Sequence, residues 1–311
     1  MTKPVISICI PTFNRASYLN ECLLSIAKQF SDPSVTSQVE VKILDNLSID
    51  NTELIVKSFS QRYPNIFYVK DSEPRKIASG IVNAATLGTG EYVWIFSDDD
   101  LMKSDSLKKI MNKLSAKQPD LVLLNIDSFV ENNRVLQTNL FKESGDIVLK
   151  SRADLWRYLN NKFYYDIDYY TTYCSNWILK KNYYDKTKHL FDVFNKPLDM
   201  FPLPSLVFYS EIDFSTLVID EPLVMFRADN ASWVRKNPIR NFFYAGSLWR
   251  HHYNYIVKFN KQYLPPNFSL KVYIKYLLKI KDFIFLIIVL SLRKVGLFNF
   301  VRNIYKKVLS K

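Results

Sequence analysis

Cysteine, histidine and glycine are all scarce in this sequence, at three, three and six residues among 311. Cys9, Cys22 and Cys174 lack metal or redox spacing, which argues against a disulfide framework and for a reducing compartment. His189 and the pair His251-His252 have no acidic partner at metal spacing, so any metal must be held mainly by carboxylates. With glycine rare and aromatics at 15%, the chain is not of low complexity. No period of 20 to 50 residues repeats, which excludes a solenoid. A six-residue apolar run near the N-terminus is too short for a signal-peptide core, so the expected location is cytoplasmic. The longest apolar stretch of the tail, Phe283 to Leu290, would extend only ~1.5 Å per residue as a helix. It cannot cross a ~30 Å hydrocarbon core.

Acidic residues are nearly absent from one region. From Lys258 to Lys311, twelve Lys/Arg face a single acid, Asp282, whereas residues 1–257 carry 30 basic and 29 acidic residues. The body is near neutral and the tail strongly basic, which restricts a polyanionic surface as partner to the tail. Long aliphatic runs separate the tail's charges, a pattern that disfavours nucleic acid. Basic residues flanking an apolar centre suit a helix lying in the interface of an anionic membrane over residues 268–311. Packing on the body and a dimer contact remain the alternatives.

At 48% hydrophobic, the chain can bury a substantial core in one large domain or two smaller ones. The first half alternates apolar runs with helical patterns. Strands are expected at Val5–Ile10, Val39–Leu44, Ile66–Lys70, Tyr92–Phe96 and Leu121–Leu124. Helices are expected at Ala16–Lys28, Asp50–Arg62, Ala78–Leu87 and Ser104–Lys117. That alternation predicts an α/β fold with a mostly parallel sheet and helices on both faces. Residues 126–235 are less regular, and beyond Pro238 the pattern turns helical and basic. The expected organisation is therefore 1–125, 126–235 and 236–311.

The strand at Tyr92 runs directly into Ser97-Asp98-Asp99-Asp100. Three acids at one strand end repel one another unless a cation is present. Ligands of open α/β sheets lie just past the carboxyl ends of strands. A hard divalent ion, Mg²⁺ or Mn²⁺, shared with substrate phosphates suits such a group. The competing reading is an acidic turn that caps the next helix through Asp100 or Ser104. Pro11-Thr12-Phe13-Asn14-Arg15 follows the first strand, where Thr and Asn can hydrogen-bond a nucleoside and Arg can meet a phosphate. It contains no glycine, unlike a phosphate-cradling loop. Asp45, after the second strand, can accept from a base N–H or close an Asx-turn. Asp50 followed by Glu53 also fits a capping box.

These motifs, with the Leu19-x-x-Cys22-Leu23-x-Ser25-Ile26 helix and Gly90-Glu91-Tyr92, occur in one order over residues 4–115. Together they resemble family 2 glycosyltransferases of GT-A fold. The resemblance implies that Asp98 contacts the ribose and Asp100 ligates a metal on the donor's diphosphate. It places Asp45 at the base and Pro11 and Thr12 along the nucleoside pocket, with Asn14, Arg15 and Asp99 among the donor-binding residues. Val218–Arg227 resembles a late family strand returning to the donor site, so Arg227 is expected to bind the diphosphate. Asp229 falls where many such enzymes place a metal-binding histidine, and Asp229–Trp233 resembles the ending of abequosyltransferase-like enzymes.

The familiar Asn-x-Gly-x-x-x-Ala pattern is missing between Gly80 and Gly90. The usual Glu-Asp pair containing the catalytic base is also missing. Asp199, before an apolar Pro-rich stretch, is the best substitute, with Asp192, Glu211 and Asp213 competing. Aromatic residues between Trp156 and Trp177 suit either sugar rings or core packing.

The expected function is inverting transfer of a sugar from a nucleoside-diphosphate donor to a glycan hydroxyl. The acceptor is expected to be a lipid-linked bacterial polysaccharide intermediate, met at the inner face of the plasma membrane. A sugar nucleotidyltransferase and a non-catalytic glycan-binding protein are the alternatives.

Overall fold

The structure is a computed structural model and describes residues 3–131, 134–163, 173–191, 206–207 and 210–229. All of them lie within the unit Met1–Ser232. The chain opens with β1 (Ile6–Thr12), α1 (Ala16–Ala27), the single turn α2 (Pro33–Thr36) and β2 (Val39–Asp45). It continues with α3 (Thr52–Arg62), β3 (Ile66–Lys70), α4 (Ile77–Thr86) and β4 (Tyr92–Ile95). Then come β5 (Leu101–Met102), α5 (Ser106–Lys117), β6 (Leu121–Val130), β7 (Arg134–Gln137), β8 (Ile147–Leu149) and α6 (Arg152–Phe163). The last described elements are β9 (Trp177–Lys180), α7 (Lys181–Thr187) and β10 (Thr216–Arg227). β6 runs unbroken past Asn125, so the two expected halves share a strand.

One sheet has the order β3-β2-β1-β4-β9-β6-β10-β5, with β7 on β6 and β8 on β10. β1 pairs in parallel with β2 and β4, β2 with β3, and β6 with β10. β9 enters antiparallel between β4 and β6. The expected α/β sheet is present and parallel through β3-β2-β1-β4, but beyond β4 it is mixed, because β5 and β8 pair antiparallel with β10 and β7 antiparallel with β6.

Alternation along β1 places helices on both faces. Ile6, Ile8 and Ile10 pack with Leu19 and Leu23 of α1, Val56 of α3 and Leu107 of α5. Cys9 of β1 packs on the opposite side with Leu44 and Ala84 of α4. Among the described residues, no helix is long and apolar enough to cross a membrane.

Gly90 serves this packing. A Cβ there would lie 2.8 Å from Ser7 Oγ and 2.9 Å from Ser7 N. The Gly90 N–H donates to Ser7 Oγ at 2.7 Å, and that hydroxyl donates to buried Glu40 at 2.6 Å. The Gly90-Glu91-Tyr92 motif thus seats the amino end of β4 against β1, far from the carboxyl ends where chemistry gathers.

Three element bounds change the site. β1 extends through Pro11 and Thr12, and β2 through Asp45, so these residues are strand rather than loop. β6 continues six residues past its expected end at Leu124, to Val130. Its polar residues disguise it. Asn125 is fully buried, and its side chain meets Asn139, the Asp220 carbonyl and the Ile126 and Phe141 N–H groups.

Candidate active site

The carboxyl ends of β1, β2 and β4 bring Thr12, Asp45 and the Ser97–Asp100 turn together. Thr12 is opposite Asp45 in register. The Thr12 hydroxyl donates to Asp98 Oδ2 at 2.7 Å, and Arg15 Nε lies 3.0 Å from Asp98 Oδ1. The same guanidinium pairs with Asp99, whose other oxygen accepts from Ser97 Oγ at 2.5 Å. Asp100 Oδ1 accepts from the Arg227 N–H at 3.0 Å. Asp98, Asp99 and Asp100 are all buried, at 5%, 8% and 1% exposed.

The acids do not cap the next helix. α5 starts at Ser106, and Asp105 precedes it in a left-handed conformation (φ 59°) without a side-chain cap. The capping alternative for Asp100 and Ser104 is therefore excluded.

Burial sets the electrostatics. Desolvation, with repulsion from Asp99, pushes the Asp98 carboxyl up to about 7 against the opposing pull of Arg15 and Thr12. Desolvation also raises Asp100 well above the ordinary range, with Asp99 adding to it and a Ser175 hydrogen bond opposing. Burial works against protonated Arg15, but Asp98 and Asp99 outweigh it and raise its pKa. Fully ionised, Asp98, Asp99, Asp100 and Glu21 exceed Arg15 and Arg227 by two negative charges.

Among the described residues, no three His, Cys, Asp or Glu side chains form a group able to hold a metal. Asp98 and Asp100 therefore offer a cation one or two carboxylates, fewer than an all-protein cage supplies. Asp98 and Asp100 retain lone pairs beyond those their partners use.

Other expected residues take definite places. Asp45 is fully buried, with Oδ1 accepting from the Ser48 N–H at 2.9 Å and Oδ2 from the Tyr68 hydroxyl at 2.6 Å. The backbone bond spans three residues, one more than an Asx-turn, so Asp45 braces the loop after β2 without forming that turn. Asn14, at φ 52°, joins the first two loops: its Oδ1 accepts from the Ile49 N–H, and its own N–H donates to Ser48 Oγ, both at 2.8 Å. Asp50 accepts from Ala16 N–H at the start of α1 and from Thr52 at the start of α3. One carboxylate therefore steadies two helix starts. Pro11 is half-buried beside Thr12.

Arg227 reaches the acidic turn from β10, but its guanidinium is turned inward. Nε–H donates to the Asp99 carbonyl at 3.1 Å, and Nη2 to Glu21 at 2.5 Å. Glu21 carried no expectation from sequence, where it reads as an ordinary charge on a helix. Asp229 Oδ2 accepts from the Glu131 N–H at 2.7 Å.

Asp199 and Asp192 lie outside the described residues, as do Trp233, both residues of the His251-His252 pair and the tail. Asp213 accepts from the Arg152 N–H at 2.8 Å, at the start of α6. It and Glu211 precede the amino end of β10. The register carries β10 from Leu121 to Phe129 of β6, about 26 Å at ~3.3 Å per residue, before Arg227 is reached. Both residues thus belong to the opposite end of the sheet from the acidic turn. Of the aromatic stretch, Trp156 and Trp177 are buried, and Tyr173 packs on Phe226 with ring centroids 4.1 Å apart. Core packing accounts for the two tryptophans, whereas half-buried Tyr173 lines a cavity together with Phe226.

The model of Glycosyl transferase family 2 matches residues 7–187. Abequosyltransferase RfbV of Salmonella typhimurium (strain LT2) is 29% identical over 255 residues, covering 76% of this chain and 70% of RfbV. Glycosyltransferase GlyG of Streptococcus pneumoniae serotype 4 is 24% identical over 129 residues, covering 42% of this chain and 41% of GlyG. TarS 1–349 of S. aureus, solved in complex with UDP-GlcNAc, superposes with a TM-score of 0.56 at 17% identity, over 80% of this chain and 66% of that chain. This last likeness shows the GT-A type fold, and the chain spans only part of the length of each of these three proteins.

Proposed function

The chain belongs to glycosyl transferase family 2, and on that premise we propose that it transfers a sugar from a nucleoside-diphosphate donor to a glycan hydroxyl, with inversion. The observation that carries this reading is the convergence of Thr12, Asp45 and buried Asp98–Asp100 at neighbouring strand ends. TarS is solved with UDP-GlcNAc, and RfbV is an abequosyltransferase, which supports a nucleotide-sugar donor; a bacterial polysaccharide acceptor is part of the proposal. A lipid-linked acceptor, met at the cytoplasmic face of the membrane by the basic tail, completes the proposal.

In the transfer, the acceptor oxygen bonds to the anomeric carbon and the bond to the diphosphate oxygen breaks. The nucleoside diphosphate leaves, and a carboxylate takes the acceptor's proton, with Asp199 as the candidate. Thr12 and Arg15 hold the Asp98 carboxylate in place for the donor. Mn²⁺ or Mg²⁺ would be held by Asp100, with Asp98, and would neutralise charge on the leaving group.

A panel of nucleotide sugars incubated with the protein and Mn²⁺ tests the proposal. Slow hydrolysis of one donor supports it. Absence of donor turnover, with or without a polysaccharide acceptor extract, refutes it. Formation of nucleotide-sugar and pyrophosphate from sugar phosphate and NTP would instead favour the nucleotidyltransferase alternative. The glycine-free Phe13-Asn14-Arg15 loop counts against that outcome.

A further inference from the structure

Arg227 makes three contacts with the residues around the acidic turn, and none leaves its guanidinium facing outward. Its backbone N–H holds Asp100 Oδ1 at 3.0 Å, and its Nε–H holds the Asp99 carbonyl at 3.1 Å. Its Nη2 meets Glu21 at 2.5 Å. The guanidinium carbon lies 4.6 Å from the centre of the Phe129 ring and 5.2 Å from that of Tyr18. The side chain is 5% exposed, whereas that of Glu21 is 50% exposed. Tyr18 and Glu21 both belong to α1, whereas Arg227 ends β10.

From this placement we infer that Arg227 and Glu21 are positioning residues that fix the Asp99–Asp100 backbone and the Asp100 carboxylate for the donor. Arg227 touches the turn, and Glu21 acts through Arg227. The inference rests on the proposed function for what the turn binds, and it revises the expected role of Arg227 as a diphosphate ligand. Charge and hydrogen bonding explain the design. A guanidinium has five donors in a rigid plane, so it can grip a carbonyl with one edge while a carboxylate fixes another. Aromatic faces on Phe129 and Tyr18 favour that plane electrostatically. A ligand-free Arg227 with no carboxylate partner would be a buried cation gripping the turn loosely.

The test turns on a sign. In a latch, Glu21 would hold Arg227 back from the diphosphate, and Glu21→Gln would tighten donor binding. In a positioning pair, Glu21→Gln loosens the turn and weakens it. Nucleoside diphosphates (UDP, GDP, CDP) are titrated with Mn²⁺ into the full chain and into Glu21→Gln by calorimetry, with melting temperatures recorded alongside. Because Glu21 is half exposed, the variant is expected to melt within about 2 °C of wild type. We expect at least fivefold weaker binding and a raised Mn²⁺ requirement for half-maximal binding. Glu21→Asp, which keeps the charge, should recover part of the loss.

Unchanged or tighter binding by Glu21→Gln overturns the inference while leaving the functional proposal in place. If wild type binds none of the three diphosphates, the functional proposal fails and the positioning role fails with it. Should Glu21→Gln melt far below wild type, Arg227→Lys replaces it. That variant keeps a cation but loses the fork, and undiminished binding by it overturns the inference equally.

Discussion

Thr12 and Asp98, 86 positions apart in the chain, are joined by a 2.7 Å hydrogen bond between the last residue of β1 and the first acid after β4. The bond ties two strand ends across the site. It also supplies a donor to a carboxylate that is only 5% exposed. Thr12→Val keeps the branched shape and removes that donor. The loss of one hydrogen bond to a buried charged group is expected to cost ~1–3 kcal/mol and to weaken donor affinity by about tenfold. Calorimetric titration and a melting curve check the two effects separately.

Gly90 has a structural task, so its substitution should separate stability from binding. A Cβ would press on Ser7 backbone and hydroxyl at under 3 Å, which neither can relieve without moving β1 against β4. Gly90→Ala is expected to destabilise by about 1–3 kcal/mol. Donor affinity, measured at a temperature where the variant remains folded, should stay within about twofold of wild type.

Acidity gives a third test. The Asp98 carboxyl is raised to about 7, so the folded state holds a proton that the unfolded chain releases near pH 4. The unfolded state then binds fewer protons between those values, and stability falls as pH rises through that window. Asp100, raised by the same burial, adds in the same direction. Without divalent ions, the melting temperature should drop from pH 5 to pH 8 by several degrees. Asp98→Asn should flatten that slope. A wild-type melting temperature that rises over the same window would contradict the raised carboxyl.

A fourth test concerns the tail. Residues 258–311 carry twelve basic residues and one acid. Full-length protein should co-sediment with anionic vesicles at low salt and be released by about 0.5 M salt, as screening shortens the reach of surface charge to a few ångströms. Indifference to anionic vesicles at low salt would remove the membrane proposal.

The parallel half of the fold was legible because its signals are local. Ile66–Lys70 is observed at the expected bounds, and the first helix ends one residue earlier than expected. Apolar period and strand length suffice there. The position of β9 was not legible, because its insertion between β4 and β6 is a long-range pairing with no local mark. The full length of β6 was hidden by Asn125 and Asp127. Both are buried polar residues whose partners, Asn139 and Asp220 for the first and Lys103 for the second, are distant in sequence.

In the candidate site, Thr12, Asp45 and Asp98–Asp100 were readable as residue types at strand ends. The partners that orient them were not. Tyr68 reads as one more strand aromatic, yet it donates to Asp45. Glu21 reads as a solvated helix charge, yet it holds Arg227. Only the folded chain joins these pairs.

The central claim is that the Asp98–Asp100 turn binds a nucleoside diphosphate through a divalent ion. The most direct measurement is calorimetric titration of the nucleoside diphosphate of the active donor into wild type and Asp100→Ala, each with Mn²⁺ and with EDTA. The account predicts saturable binding by wild type in Mn²⁺ only, and loss of it in a variant that keeps its circular dichroism spectrum. Equal binding in EDTA, or undiminished binding by Asp100→Ala, would contradict it.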